Sequence, residues 1–287
     1  MNTKIQNLEQ EFTTKNLQDC WQYVKSKLKS AISIQCEKTE ENELKLGVSK
    51  IGGSPDLPQN IDWLKDKAGK TMSLIAQINL AEITDYDIEH KLPKQGILYF
   101  FYDAETQPWG FDPQDKGRFK VLFLKDQDLD LERKQIPADL DQKMAYFKTA
   151  KLSFETILNL PDLSSSVMDY TFENQQEEEH YFNWIDDNEQ GLINKLLGHS
   201  NNMQDGMELE CALMSNGIYC EDSKGYSQEN IKKFSNEAEK WTLLLQIDSN
   251  ENLGMMWGDA GRLYFWIKEE DLKNENFDQV WCVLQCG

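Results

Sequence analysis

Three segments of the first half of the sequence recur, in the same order, in the second half. The paired segments are residues 73–79 with 242–248, 96–101 with 261–266, and 119–123 with 281–285. Gln246 follows Gln77 by 169 residues, and the two later pairs are offset by 165 and 162 residues. Because these offsets differ by only a few residues of loop length, we interpret the segments as two copies of a three-strand unit.

In the segment 74–79, alternate residues fall on opposite faces of a strand: Leu74, Ala76 and Ile78 on one, and Ile75, Gln77 and Asn79 on the other. We therefore expect an α+β protein that is internally duplicated, with mostly antiparallel sheet units and peripheral helices. Residues 1–160 would hold an N-terminal helix and the first sheet repeat. Residues 161–287 would hold a helical insertion and the second sheet repeat, packed with the first as one body.

Apolar residues at helical spacing predict further elements outside the repeat. We expect a helix over 3–32, a strand within 146–160, an acidic helix from 173 that extends to Leu197, and a helix over 227–241. Gly198 would then end the acidic helix, because glycine accepts a left-handed backbone without strain.

The net charge of −20 bears on the partners that the protein can take. An acidic protein repels phosphates and anionic lipids, so we expect no nucleic-acid partner and no membrane partner. The sequence has no run of about 18 apolar residues and no apolar leader. We expect a cytoplasmic protein whose six cysteines are reduced.

The usual catalytic and metal-binding motifs are missing or incomplete. The segment 69–71 matches the end of a phosphate-binding loop, but Leu64 stands where that pattern needs a glycine. Glu177 and His180 have the spacing of a carboxylate metal motif, yet a second such motif is missing. We therefore assign no catalytic residue, no metal and no cofactor.

Gln77 and Gln246 are each the only amide among apolar strand residues, and a buried amide needs hydrogen-bond partners. One interpretation is structural, in which each glutamine ties strands or loops together. The other is functional, in which both form the polar floor of a cleft between the two halves.

Two Trp-Gly loops flank the aromatic strands and supply the remaining candidate binding residues. Trp109 follows one strand, Trp257 precedes the other, and Asp259 and Arg262 bracket a glycine turn. An exposed aromatic residue beside a charge is a common binding hot spot. The alternative is a turn whose tryptophan covers the edge of the core.

Several short motifs, taken in order, resemble the YwqG-like family of bacterial proteins. The motifs are at 52–58, 75–80, 96–101, 196–198 and 257–266. The segment 198–204 departs from the family, whose members usually carry an aromatic residue and a proline soon after the glycine. The resemblance implies a cytoplasmic bacterial protein of mixed α and β structure and unknown function. The resemblance also points to an interaction or immunity role, because members of the family can lie near toxin-type genes.

Two classes of function remain open at this point. The first is a non-enzymatic binding protein whose acidic surface faces a protein partner that is basic. The second is an enzyme or small-ligand binder at a cleft between the repeats, using the two glutamines, Asp259 and Arg262. The thin evidence for catalysis favours the first class, and the sequence leaves the oligomeric state open.

Overall fold

A computed structural model describes residues 2–125, 130–188, 191, 193–220 and 222–287. The strands in chain order are β1 (Lys29–Lys38), β2 (Lys50–Ile51), β3 (Asp56–Pro58), β4 (Ser73–Asn79), β5 (Ile97–Tyr102), β6 (Phe119–Leu124), β7 (Leu131–Arg133), β8 (Ala150–Asn159), β9 (Asn194–Leu197), β10 (Trp241–Asp248), β11 (Arg262–Lys268) and β12 (Trp281–Gln285). The helices are α1 (Asn2–Thr14), α2 (Trp21–Ser26), α3 (Leu80–Ile83), α4 (Gln175–Asn188), α5 (Glu208–Ser215), α6 (Gln228–Ala238) and α7 (Glu269–Lys273).

Ten of these strands form one sheet, in the order β12-β11-β10-β9-β1-β8-β2-β4-β5-β6, and β3 pairs with β7 in a separate ribbon. The strand pairs that the structure describes are antiparallel. The unit β4-β5-β6 therefore lies as far from the central β1–β8 pair as the unit β10-β11-β12 does. Both β4 and β10 carry an irregularity in register near their first residues, at Leu74/Ala76 and Leu243/Leu245. The expected α+β class with antiparallel pairing is confirmed.

The sheet curls until its two outer strands approach each other. The backbone nitrogen of Leu284 in β12 donates to the carbonyl of Trp109, 3.0 Å away, in the loop before β6. The rings of Phe100 and Phe265 meet inside the curled sheet, with centroids 5.2 Å apart. Gly110 is required at this closure because a Cβ there would lie 2.1 Å from a carbonyl oxygen of β12. Curling buries one apolar face of the sheet and leaves the opposite face to be covered by loops and helices.

Helices α1, α2 and α4 form a second, smaller core beside the sheet. Phe12 lies at its centre and contacts the rings of Trp21, Tyr181 and Trp184 at centroid distances of 5.0 to 6.2 Å. Such aromatic contacts stabilise helix packing beyond the area that they bury. No helix in the described part of the chain is long and apolar enough to cross a membrane.

The predicted helix over 3–32 is wrong. Helix α1 ends at Thr14, and Asn16 has a left-handed backbone with φ of 58°, which no helix continues through. Strand β1 then begins at Lys29 and becomes the central strand of the sheet. The apolar residues Leu28 and Ile32 fit helical spacing, but pairing with β8 and β9 decides the outcome.

The acidic helix is present, but its predicted extension to Leu197 is wrong. Helix α4 ends at Asn188, and residues 194–197 form strand β9. Gly198 does have a left-handed backbone, with φ of 77°, but it follows a strand. A Cβ at Gly198 would lie 2.6 Å from the Ala31 side chain, so close strand contact is what requires glycine there. Strand β8 and helix α6 confirm the other two expected elements.

Candidate functional site

A buried cluster of charges, which we call cluster 1, forms where β2 turns into β3. Gly52 and Gly53 both have a left-handed backbone, and this turn places Asp56 over Lys50. The Lys50 Nζ lies 3.3 Å from Asp56 Oδ1 and 3.0 Å from Glu41 Oε1. The side chains of Lys50 and Asp56 are completely buried, so each needs the other in order to remain charged.

Three further side chains complete cluster 1. The Gln77 amide accepts from the Asp56 backbone nitrogen at 2.9 Å and donates to Asp56 Oδ2 at 3.0 Å. Arg133 Nε donates to Asp56 Oδ1 at 2.8 Å, and the Tyr99 hydroxyl donates to the Asp56 carbonyl. Burial alone would raise the pKa of Asp56, but Arg133, Lys50 and Gln77 outweigh it and lower that pKa. Asp56 is therefore an anion held in place by the fold.

A second cluster, which we call cluster 2, repeats the geometry around Gln246. Its amide accepts from the Asn201 backbone nitrogen at 2.9 Å and donates to Asn201 Oδ1 at 3.2 Å. The Tyr264 hydroxyl donates to the Asn201 carbonyl at 2.6 Å. Lys195 is buried beside them, with Nζ 3.2 Å from Asn159 Oδ1. Lys195 and Asn201 each follow their counterparts in cluster 1, Lys50 and Asp56, by 145 residues.

Cluster 2 differs from cluster 1 in charge and in cover. A neutral Asn201 takes the place of Asp56, and Arg262 lies 3.4 Å from Asp248 while donating to the Asn201 carbonyl. A cavity of about 360 Å³ borders cluster 2 between the sheet and helices α1 and α4. Its polar lining includes Glu11, Ser33, Gln35, Asn159, Asn194, Lys195 and Asn201.

The two glutamines do not share one cleft. Four strands separate β4 from β10, which is roughly 24 Å along the sheet at the usual strand spacing. Gln77 and Gln246 are both completely buried and hydrogen-bonded within their own clusters. Their geometry therefore matches the structural interpretation, in which each amide ties a loop to the sheet.

The Trp-Gly loops also divide into an exposed and a buried member. Trp109 is 41% exposed, at the seam where the outer strands meet. Trp257 is completely buried, and its ring contacts those of Tyr102 and Phe147. Asp259 is exposed, whereas the guanidinium of Arg262 points to Asp248 in cluster 2. The ion-pair partner of Arg262 in the described part of the chain is therefore Asp248.

A pocket of about 500 Å³ lies at one end of the curled sheet, between segments of the two halves. Residues 90–93 form one wall, and Thr242 together with α7 and Glu275 forms the other. The Thr242 hydroxyl is buried there without a hydrogen-bond partner in the described part of the chain. The lining of this pocket includes none of the four residues predicted for a cleft between the repeats, which are Gln77, Gln246, Asp259 and Arg262.

Helix α4 has two faces of opposite character. Glu177, Tyr181, Trp184 and Ile185 are buried on the inner face, towards α1 and α2. The outer face carries carboxylates, and Phe182 stands among them with 58% of its surface exposed. Among the residues that the structure describes, no group of three or more His, Cys, Asp or Glu side chains could hold a metal ion.

Sequence reasoning missed the buried residues beside the two glutamines, namely Lys50 and Asp56 in cluster 1 and Lys195 and Asn201 in cluster 2. A signal for them is present, since residues 50–55 and 195–200 resemble each other at the same offset of 145 residues. The likeness gives no sign of burial, because lysine and aspartate are usually at the surface. The lysines of the two segments are instead buried at equivalent places in the sheet.

Comparison with known proteins gives one positive finding. A family model described as a domain of unknown function (DUF1963) matches residues 49–286. The match begins just before Lys50 and ends just after β12, so it includes the two glutamines, α4 and the whole pocket. Helices α1 and α2 and strand β1 lie outside it. A search of curated proteins found no match.

Proposed function

The chain belongs to the DUF1963 family, and we propose that it is a non-enzymatic binding protein whose helix α4 takes a basic segment of a partner protein. The observation that carries the proposal is Phe182, an aromatic side chain that is 58% exposed on an acidic helix. An exposed aromatic residue surrounded by charges is a frequent centre of protein–protein binding.

The surroundings of Phe182 indicate the charge of the partner. Glu178, Glu179 and Asp186 are exposed at positions i−4, i−3 and i+4, and so they surround the Phe182 ring on the helix surface. Residues 173–189 contain no lysine or arginine. A segment that places lysine or arginine around an apolar side chain would complement this surface, and the net charge of −20 would speed its approach.

The inner face of α4 makes the outer face a rigid platform. Tyr181 is completely buried and donates from its hydroxyl to the Pro161 carbonyl at 2.8 Å, while Trp184 donates to Glu11 at 2.9 Å. Because these contacts hold the helix before any partner arrives, binding requires little ordering of the helix.

The test compares two triple charge reversals that change the net charge equally. One reverses Glu178, Glu179 and Asp186 to lysine, and the control reverses the exposed Glu229, Glu239 and Glu251 on other surfaces. Immobilised wild-type protein captures basic proteins from an extract of the source organism, and each is then purified and titrated against both variants. We expect the α4 variant to bind at least about tenfold more weakly than the wild-type protein. The control variant should lose far less affinity.

Two results would contradict this function. Equal losses of affinity in both variants would mean that diffuse charge, and not α4, attracts the partner. If no captured basic protein changes its affinity in the Phe182→Ser variant, the outer face of α4 is not the binding surface. Salt titration adds a check, because a contact between exposed charges weakens as ionic strength rises.

The mirrored strand order supports a further part of the proposal, namely that the chain is internally duplicated. The 145-residue offset of Lys50 and Asp56 from Lys195 and Asn201 supports it too. Under this proposal the chain is a YwqG-like bacterial protein that acts in the cytoplasm. If the chain is duplicated, related sequences should carry a lysine and a strand glutamine in each half, at the positions that correspond to clusters 1 and 2. Families in which one half lacks both residues would contradict it.

A further inference from the structure

The pocket at the end of the curled sheet is built jointly by the two halves of the chain. Residues 90–93, in the segment between α3 and β5, face Thr242 of β10 and helix α7 across a volume of about 500 Å³. This volume lies within the range of about 300–1,000 Å³ that is usual for ligand sites. The inference below does not depend on the proposed role of α4, which belongs to a different part of the surface.

Thr242 supplies the first indication of a ligand. The residue is only 1% exposed, it lines the pocket, and its Oγ1 has no hydrogen-bond partner among the described residues. A buried hydroxyl without a partner destabilises a protein, so such groups are rare without a reason. A ligand that hydrogen-bonds to this hydroxyl would remove the deficit.

Charged side chains at the rim supply the second indication. Lys91 lies 3.1 Å from Glu89, and Glu275 lies 2.7 Å from Lys125, so both are already paired. Glu269 and Lys273 also line the pocket, one turn apart on α7. The ion pairs formed between described residues include neither of them, which leaves one carboxylate and one ammonium available at the same opening.

The remaining wall is apolar, since Leu92, Pro93 and Leu272 line it. We propose that this pocket binds a small zwitterion with an apolar side chain, of the class of free amino acids such as leucine. The ammonium group of the ligand would bind Glu269, its carboxylate would bind Lys273 and Thr242 Oγ1, and its side chain would contact Leu92 and Leu272. Thr242 Oγ1, Glu269 and Lys273 then each have a counterpart on the ligand.

Calorimetric titration of the full-length protein with L-leucine, L-methionine and L-phenylalanine tests the proposal. We expect at least one of them to bind with a Kd of about 1 mM or tighter. N-acetyl-leucine lacks the ammonium group and leucinamide lacks the carboxylate, so each should bind about tenfold more weakly than leucine for the loss of one charged contact. No binding of any of the three amino acids up to about 10 mM would overturn the proposal.

Matched variants locate the binding. Thr242→Val keeps the shape of the side chain and removes the hydroxyl, so it should raise the melting temperature of the unliganded protein and weaken amino-acid binding several-fold. Glu269→Gln and Lys273→Gln should weaken binding as well, whereas Glu270→Gln, next to the pocket lining, should not. Unchanged affinity in Thr242→Val and Glu269→Gln would overturn the assignment. Phe182→Ser should bind leucine normally, which separates this test from that of α4.

Discussion

Clusters 1 and 2 have the same framework and differ in the side chain that the strand glutamine binds, which is Asp56 in cluster 1 and Asn201 in cluster 2. In cluster 1, Lys50 faces two carboxylates, Glu41 and Asp56, and Arg133 binds the same Asp56. In cluster 2, Lys195 lies 3.2 Å from the Asn159 amide oxygen, and a neutral Asn201 takes the place of Asp56. The hydrogen-bond pattern of the strand glutamine and tyrosine is retained in both.

The two clusters also differ in what covers them. In cluster 1, β3, β7 and the Glu41 segment close over the charges and leave Lys50 and Asp56 completely buried. In cluster 2 the cover is a layer of helices, and a cavity of about 360 Å³ remains beneath it. The same layer carries Phe182 on its outer face. This arrangement supports our proposal that the surface that binds a partner protein lies on this helical layer.

The largest expected effect comes from making cluster 1 resemble cluster 2. Asp56→Asn leaves Lys50 and Arg133 without their shared carboxylate, and we expect it to lower the free energy of unfolding by about 3–5 kcal/mol. Asn201→Ala is the corresponding change in cluster 2 and should cost about 1–3 kcal/mol, because it removes the acceptor of the hydrogen bond from the neutral Gln246 amide. Urea unfolding of both variants measures the difference, and equal costs would break the comparison.

The two glutamines provide the next test. Gln77→Leu removes an amide that donates to the charged Asp56, whereas Gln246→Leu removes one that donates to neutral partners. Hydrogen bonds to charged groups contribute about 1.5–3 kcal/mol, and neutral ones about 1 kcal/mol. We therefore expect Gln77→Leu to be the more destabilising variant in thermal unfolding, and a reversed order would contradict the assignment of charge.

The pH dependence of unfolding tests the charge of Asp56 in cluster 1. The pKa of Asp56 is lowered from its ordinary value of 3.8, because contacts with Arg133, Lys50 and Gln77 outweigh desolvation. A lowered pKa in the folded state means that the stabilisation is present above the unfolded pKa and is lost as the pH falls through the folded pKa. The comparison is with the Asp56→Asn variant, made in a stabilised background. Below about pH 4 the wild-type protein should take up about one more proton on unfolding than this variant does. Identical pH slopes in urea unfolding would show that the fold does not lower the pKa of Asp56.

The smallest change in the free energy of unfolding is expected at Phe182, on the surface of the helical layer that covers cluster 2. Phe182→Ser should change the free energy of unfolding by less than about 0.5 kcal/mol, because the side chain makes few contacts that stabilise the fold. Tyr181→Phe, next to it but completely buried, removes the hydrogen bond to Pro161 and should cost about 1 kcal/mol. If Phe182→Ser destabilised the protein more than Tyr181→Phe did, Phe182 would be part of the core.

The repeat and the alternation of apolar residues were sufficient to predict strands β4–β6 and β10–β12 and their antiparallel arrangement. Strand β1 was not predictable, because Leu28 and Ile32 fit a helix locally and only pairing with distant β8 makes a strand. The candidate site was predicted in part. The buried amides stood out among apolar residues, but Lys50 and Asp56 are of types usually found in solvent.

Hydrogen exchange is the measurement that tests the central claim most directly. Peptides covering α4 (Gln175–Asn188) are compared in the protein alone and in complex with a captured basic partner. We predict that exchange slows in α4 and stays unchanged in residues 50–58, which belong to cluster 1. Protection that appears in the cluster 1 segment or at Trp109, with α4 unaffected, would contradict the assignment of the binding surface.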